Sequence, residues 1–501
     1  DKIIIIQAAN TGLTGGSTPN GNDYDRDVVV VNTLGLDQLI LLNGGNQVLA
    51  FPGATLFKLE ELLTPLNKEP HSVIGSSCIG ASIVGGVCNN SGGNLLNRGP
   101  SYTELSLYAR VNHNGELELV NHLGIELGDT PEQILVNLEN QNFEKEGLPL
   151  TDRNASDSGY KQKIRDFESS TPARFNADKR CLFESSGCAG KIVVFAVRLD
   201  TFPKPKEKKV FYIGTNKPEY FNNIRKNILS NFVRLPEMTE YIHSSAFDGA
   251  DQYGKDTFLF IKYFGKNFIP YLFQTKRKIN LFLDPINFIP SNFLDILLYH
   301  LSTLLPDHLP SIFRIYRRKF EHYLLLVITD ESILDTRLLL NDFVSVNNDI
   351  EYIECDKKQG DDILLHRFVA GISPSRFKIL NSSSSGELLP LDVALPRNYD
   401  LWYEIVNDKF LSKSLKSFQM GHFMCMVFHW DFILEKGTNH DLAKNNILEW
   451  LKSIGAKYPA EHNVGHFYKA EEDLASFYRE LDPINSFNPG IGKQSKNKYY
   501  K

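Results

Sequence analysis

IGSSCIGASIVGGVCNNSGG, from Ile74 to Gly93, places six glycines (Gly75, Gly80, Gly85, Gly86, Gly92, Gly93) in twenty residues, with Ser, Cys and Asn filling much of the rest. Glycine weakens a helix, permits positive φ and lets other groups approach the backbone closely. The run is therefore expected to make no sound helix and to wrap tightly around a large polar ligand. Ile74, Ile79, Ile83, Val84 and Val87 thread through the glycines, and a free linker would have no use for them.

Outward from this run, Ile3 to Ile6 is an apolar strand that leads into Gln7-Ala8-Ala9-Asn10-Thr11-Gly12-Leu13-Thr14-Gly15-Gly16-Ser17-Thr18. A strand opening into small and hydroxyl residues presents several backbone N–H groups to one point, which suits an anion such as a pyrophosphate. No Gly-Lys-Ser/Thr closes it, so it is not a Walker loop, and it is not the helix-opening GxGxxG fingerprint. Val28 to Val31 and Gln47 to Phe51 read as further strands. Leu56 to Leu63 reads as a core-facing helix that Pro65 ends.

The 501 residues are 42% hydrophobic and 23% charged, enough for two or three domains with their own cores. A net charge of −6, from 54 basic and 60 acidic residues, argues against nucleic acid as the main partner. Six scattered cysteines without a CxxC pair fit a reducing compartment. The chain has no signal-peptide pattern and no apolar run of about eighteen residues. A core strand directly after Asp1 leads us to expect that an N-terminal portion is missing.

The strand, the AANTGLTGGST loop, VLAFPGATLFKLEELL and the second glycine-rich run together resemble the FAD-binding domain of the vanillyl-alcohol-oxidase superfamily. Within it, PHSVIGSSCIGAS, CLFESSGCAGK, GHFMCMVFH, YPAEHNVGH and NPGIGK carry a resemblance to the membrane-associated, quinone-dependent D-lactate dehydrogenases of bacteria along the whole chain. The resemblance implies an α+β protein of three parts. Residues 1–205 form an FAD-binding domain, N-terminally truncated; residues 206–455 form an antiparallel-sheet cap with a helical membrane-binding insertion at 271–323; residues 456–501 return to the FAD domain. It further implies FAD held by Ala8, Ala9, Asn10, Thr11, Gly12, Gly16 and Ser17 at the pyrophosphate. Gly75, Ser82, Gly92 and Val194 are matched to the flavin, with Asn488 of Asn-Pro-Gly brought back onto it. The implied reaction oxidises (R)-lactate to pyruvate and passes electrons to a membrane quinone, from a peripheral position on the cytoplasmic face of the bacterial inner membrane. A related D-2-hydroxy-acid oxidoreductase with another substrate or acceptor, and an inactive scaffold, remain alternatives.

Residue pattern alone places a hairpin with Asn114-Gly115 at its turn and a helix capped by Thr130 with Pro131 at its first position. It also gives a solvated excursion over Asn140 to Asp166 and a plain linker at Ser382 to Ser385. Residues 271–323 carry Lys276, Arg277, Lys278, Arg314, Arg317, Arg318 and Lys319 against four acids, with aromatic and aliphatic residues between the clusters. That pattern suits an anionic membrane surface, or else an amphipathic helix pair packed on the cap.

Arg367 follows an apolar helical run and reads either as a salt-bridged core residue or as a clamp for a carboxylate. The resemblance assigns it the substrate carboxylate, with Arg376 in reserve. Gly421 to His429 reads as one strand, on which His422 and His429, seven apart, point to opposite faces unless a bulge intervenes. Related 2-hydroxy-acid dehydrogenases carry GHxGDGNxH here, with both His on a divalent metal; this chain keeps both and replaces Gly-Asp-Gly-Asn by Met-Cys-Met-Val. Glu461-His462 offers a base beside a charge that tunes it. The resemblance makes His462 the base for the substrate hydroxyl and Glu461 a third metal ligand. Cys188, among Gly and Ala with no adjacent His, reads as a packing residue.

Overall fold

The computed structural model describes residues 2–72, 80–149, 151–265, 268–283, 292–404 and 414–501. Gly75 lies outside them, as do Asp284, Pro285, Phe288 and Pro290 of the basic and apolar segment and the side chain of Arg277. The chain divides into two compact units: Asp1–Lys161, Arg174–Lys204 and Pro459–Lys501 form one, Gln162–Ala173 and Pro205–Tyr458 the other.

The first unit opens with β1 (Ile3–Gln7) and β2 (Val28–Asn32), paired in parallel with Ile3 opposite Val28. It continues through β3 (Leu39–Leu42), β4 (Gln47–Ala50), α1 (Leu56–Leu63), β5 (Lys68–Glu69), α2 (Ile83–Cys88), β6 (Ser106–Val111), β7 (Leu117–Asn121), α3 (Pro131–Glu139), β8 (Val193–Asp200) and β9 (Phe202–Pro203). An antiparallel five-stranded sheet runs β3-β4-β8-β6-β7. Thr55 caps α1, its Oγ1 accepting from Lys58 N at 3.2 Å, and Leu56, Leu59 and Leu63 turn one helical face into the core. Each such leucine contributes about 1.5–3 kcal/mol on leaving water. They meet Val48, Val194 and Val197 of the sheet, together with Ile83, Val84 and Val87. The hairpin turns at Gly115, whose φ is +83°, and Thr130 caps α3 in a reciprocal capping box with Gln133.

The glycine-rich run departs from expectation, because Ile83–Cys88 is helical. Ser82 supplies what the glycines lack: its Oγ accepts from Gly85 N at 3.0 Å. A Cβ on Gly85 would stand 2.7 Å from that oxygen and one on Gly86 would stand 3.1 Å from Ser101 Oγ, so the glycines serve close packing of the helix. The solvated excursion is also interrupted, by α4 (Tyr160–Arg165), where Tyr160 and Ile164 are buried.

The second unit carries β10 (Lys208–Thr215), α5 (Glu219–Asn231), β11 (Met238–His243), α6 (Ser244–Tyr253), α7 (Lys255–Phe264), α8 (Ile269–Leu283), α9 (Phe293–Thr303), α10 (Ser311–Lys319), β12 (His322–Thr329), α11 (Ser332–Val346), β13 (Ile350–Glu354), α12 (Lys357–Ala370), α13 (Ser373–Leu380), β14 (Ser385–Ala394), β15 (Ser414–His422), β16 (Val427–Glu435) and α14 (His440–Ser453). Its antiparallel sheet runs β13-β10-β12-β11-β15-β16-β14. Helix α6 packs on β11 and β15, and α12 and α13 pack on α6. The serine run ends inside β14 and so is only partly linker. The chain then returns to the first unit, where α15 (Glu472–Leu481) buries Leu474, Ala475, Tyr478 and Leu481.

Among the described residues no helix is long and apolar enough to cross a membrane. Four of the seven basic residues of the 271–323 segment are ion-paired among the described residues. Arg314 pairs with Asp251 and Asp307, Arg317 with Asp248, Lys319 with Glu351 and Lys276 with Asp295. From the end of α7 through α8 a run of large apolar side chains lies on the surface: Tyr263, Phe264, Phe268, Tyr271, Leu281 and Phe282 are all more than half exposed.

Candidate active site

In the first unit the loop after β1 leaves its donors unspent. Among the described residues no hydrogen bond engages the backbone N–H groups of Ala8, Ala9, Asn10, Thr11 or Gly12, which are half-buried or exposed. Asn10 holds a positive φ of 53° and its Oδ1 accepts from Ser17 Oγ at 2.8 Å, which folds the loop on itself. Gly80, in the second small-residue run, would bring a Cβ within 4.0 Å of Ala9. Two runs of small residues thus adjoin, with a row of free N–H donors between strand and turn, which fits a bound pyrophosphate.

Other expected residues take varied places. Ser82 spends its hydroxyl on capping α2, and Val194 lies in the apolar core. Gly92 is packed so closely on Arg174 that a Cβ there would overlap the guanidinium at 1.6 Å. Asn488, at φ +43°, donates through Nδ2 to Gly16 O at 2.7 Å and Ala189 O at 2.8 Å, so the C-terminal segment props the first loop.

Glu461 and His462 stand in the same unit. The segment they belong to is tied to the first loop: His466 N donates to Thr14 O at 3.0 Å and Gly465 packs on Thr14. Glu461 is buried and ion-paired with buried Arg174, whose Nη2 also donates to Gly93 O at 2.7 Å. Sequence reading passed over Arg174, which lies in SSTPARFN without any local signal.

In the second unit Gly421 to His429 is not one strand. His422 ends β15, Phe423–Cys425 forms a 3₁₀ turn with Met426 left-handed at φ +57°, and β16 begins at Val427. The register sets His422 opposite Val427 and Met420 opposite His429. Val427 and His429 share a face, so His422 and His429 do too, and their Nε2 atoms lie 3.3 Å apart. The tight turn accomplishes what a bulge was expected to do.

The flanking strands extend this pair into a row. Glu240 on β11 is register partner of His422, and its Oε1 lies 2.9 Å from His422 Nδ1. Asp392 on β14 is register partner of His429, with Oδ1 3.5 Å from Nδ1. Carboxylate, imidazole, imidazole and carboxylate therefore follow one another across four strands. Glu240 Oε2 stands 2.9 Å from Arg367 Nη2, which joins the arginine of α12 to the row. Arg376 instead pairs with Asp256 and Asp295.

Burial alone would raise the Glu240 carboxyl; Arg367 and then His422 overcome it and hold it at about 2. An ionised Glu240 only accepts, so the hydrogen bond between them is donated by His422 Nδ1. Two imidazole nitrogens bound to one ion at about 2.0–2.1 Å and the tetrahedral angle would stand about 3.3–3.4 Å apart. The pair fits a divalent cation, and equally an N–H···N bond from His429. Asp431, two residues beyond His429 and on its face, is pushed up to about 7 by burial, opposed by Arg367 and aided by Asp392. Glu240, Asp392 and Asp431 are lone acids inside the apolar runs MTEYIH, PLDVAL and FHWDFI; that is the signal that would have found them.

Comparison with solved structures shows the fold. The chain is similar to alkyldihydroxyacetonephosphate synthase (TM-score 0.55, 11% identity, 97% of this chain and 71% of that one). It is also similar to p-cresol methylhydroxylase with substrate bound (TM-score 0.54, 14% identity, 98% and 84%). The fold is α+β and is shared with these two proteins. A family model described as D-lactate dehydrogenase, membrane binding, matches residues 210–500. The quinone-dependent D-lactate dehydrogenase of Escherichia coli (strain K12) is 50% identical over 498 residues, 99% of this chain and 87% of the relative. That of Haemophilus influenzae (strain ATCC 51907 / DSM 11121 / KW20 / Rd) is 47% identical over 500 residues, 100% and 89%. The chain belongs to the quinone-dependent D-lactate dehydrogenase family.

Proposed function

We propose that the protein oxidises (R)-lactate to pyruvate with FAD and passes the electrons to a membrane quinone. The observation that carries this is identity of 50% to a quinone-dependent D-lactate dehydrogenase over 99% of the chain. FAD, when bound, supplies the acceptor for the hydride of the substrate α-carbon. Ala8, Ala9, Asn10, Thr11, Gly12, Gly16 and Ser17 would hold its pyrophosphate, and the unspent donors of that loop support the assignment. Gly75, Ser82, Gly92, Val194 and Asn488 are proposed at the flavin. His462 takes the hydroxyl proton and Arg367 holds the carboxylate by its planar fork. His422, His429 and Glu461 would hold a divalent ion, which would polarise the substrate hydroxyl.

At the membrane, exposed aromatic residues of α7 and α8 enter the headgroup region. The paired arginines fasten α10 to the rest of its unit. The division of labour is that residues 1–205 and 456–501 serve the cofactor and residues 206–455 cap the substrate, on the cytoplasmic face of the membrane.

Anaerobic titration tests the reading. A yellow preparation should lose its flavin absorbance on (R)-lactate, keep it on (S)-lactate and regain it on a short-chain quinone. A colourless preparation, or a band indifferent to (R)-lactate, overturns it.

A further inference from the structure

We propose that Glu240 is a positioning residue for the substrate-binding arginine, and that it sets Arg367 and His422 at once. The proposal rests on the reading of Arg367 as the group that holds the substrate carboxylate. Its own support is geometric. Glu240 is 2% exposed, and it divides its two oxygens between two partners, each at 2.9 Å: Oε1 hydrogen-bonds with His422 Nδ1, and Oε2 makes an ion pair, without hydrogen-bond geometry, with Arg367 Nη2. The strand register fixes it, since Glu240 stands directly opposite His422 on β15. Arg367 comes from a helix instead, and has several rotatable bonds between backbone and guanidinium. A charge pair to a rigid strand removes that freedom before substrate arrives, which is how preorganised sites avoid the entropy of ordering.

One donor is left over. Arg367 Nε is buried and has no hydrogen-bond partner among the described residues. A buried N–H without an acceptor is unfavourable, and a bound carboxylate oxygen would satisfy it. Glu240 therefore holds one side of the guanidinium while Nε stays unspent for a ligand. Neutralisation alone makes the opposite forecast. A carboxylate beside Arg367 repels a second carboxylate, so a Glu240 that did no more than cancel charge would weaken substrate binding.

The two roles separate in Glu240→Gln, which keeps the size and an amide oxygen for His422 Nδ1 but loses the charge that holds Arg367. Positioning predicts that oxalate, read by its perturbation of the flavin spectrum in the holoenzyme, binds on the order of 10–100-fold more weakly. KM for (R)-lactate should rise by a similar factor and by more than kcat falls. Glu240→Asp keeps the charge and shortens the reach, and it should weaken oxalate as well. In an Arg367→Ala background neither change should matter further, because the residue being positioned is gone. Tighter oxalate binding by Glu240→Gln, or wild-type affinity in Glu240→Asp, overturns the proposal. Wild-type oxalate affinity in Arg367→Ala alone would instead overturn the reading of Arg367.

Discussion

At the scale of single residues, His462 and the Glu461–Arg174 pair separate chemistry from architecture. His462→Ala should keep flavin and substrate affinity while slowing flavin reduction by roughly 10²–10⁴, the usual contribution of a positioned base. Stopped-flow mixing with (R)-lactate reads the rate, and an unchanged rate would move the role to another group. Arg174→Met removes one partner of a buried pair, and such removals destabilise by about 3–5 kcal/mol. The expected outcome is a lower midpoint in denaturant for the whole first unit, recovered in part when Glu461 is also made apolar. No change on Arg174→Met would mean that the pair carries no weight in folding.

At the scale of elements, the turn between β15 and β16 decides whether two histidines form one site. The fit of the pair to a divalent ion predicts that dialysis against a chelator lowers activity and that Zn²⁺ or Mn²⁺ restores it. Full activity with no ion by elemental analysis would leave an N–H···N bond in its place. The proposed membrane contact gives a second forecast: Phe264→Ser, Tyr271→Ser and Phe282→Ser together should release the protein from vesicles while sparing turnover with a soluble acceptor. Arg317→Glu, facing Asp248, should lower stability first. Retention of the triple variant on vesicles would return the role to charge. These elements also mark what sequence could convey. Strands and helices with one apolar face, such as β1, α1 and α3, were legible because periodicity depends on local order alone. The turn between β15 and β16 was not, since MCMV carries no turn residue and yet Met426 adopts a positive φ of 57°. Glu240 and Asp392 were missed because their meaning comes from cross-strand partners far away in sequence, and Arg174 because its partner lies nearly three hundred residues on.

At the scale of the whole molecule, acid should act on the second unit through buried histidines. Burial pushes His308 down to about 4, opposed by Asp251 and reinforced by Arg314, and His366 lies beside it and is also lowered. A lowered histidine is neutral when folded, so the unfolded chain binds more protons and stability rises with pH. The contribution is complete above about 6.5 and is lost as pH falls through about 4. His308→Phe should flatten unfolding curves in that window, and an unaltered pH dependence would assign the acid limb to other groups. A different consequence follows from the way the last residues close the first unit. Ile4 bridges Phe487 in parallel, Asn488 N donates to Ile4 O at 3.0 Å, and Asn488 Nδ2 reaches Gly16. A ribosome releases the second unit, nearly continuous from Pro205 to Tyr458, before it has made the strand partner that completes the first. During synthesis the loop after β1 waits for a partner that lies nearly five hundred residues on, so the first unit closes only after the second has been made and its open edge is exposed to misfolding in the meantime.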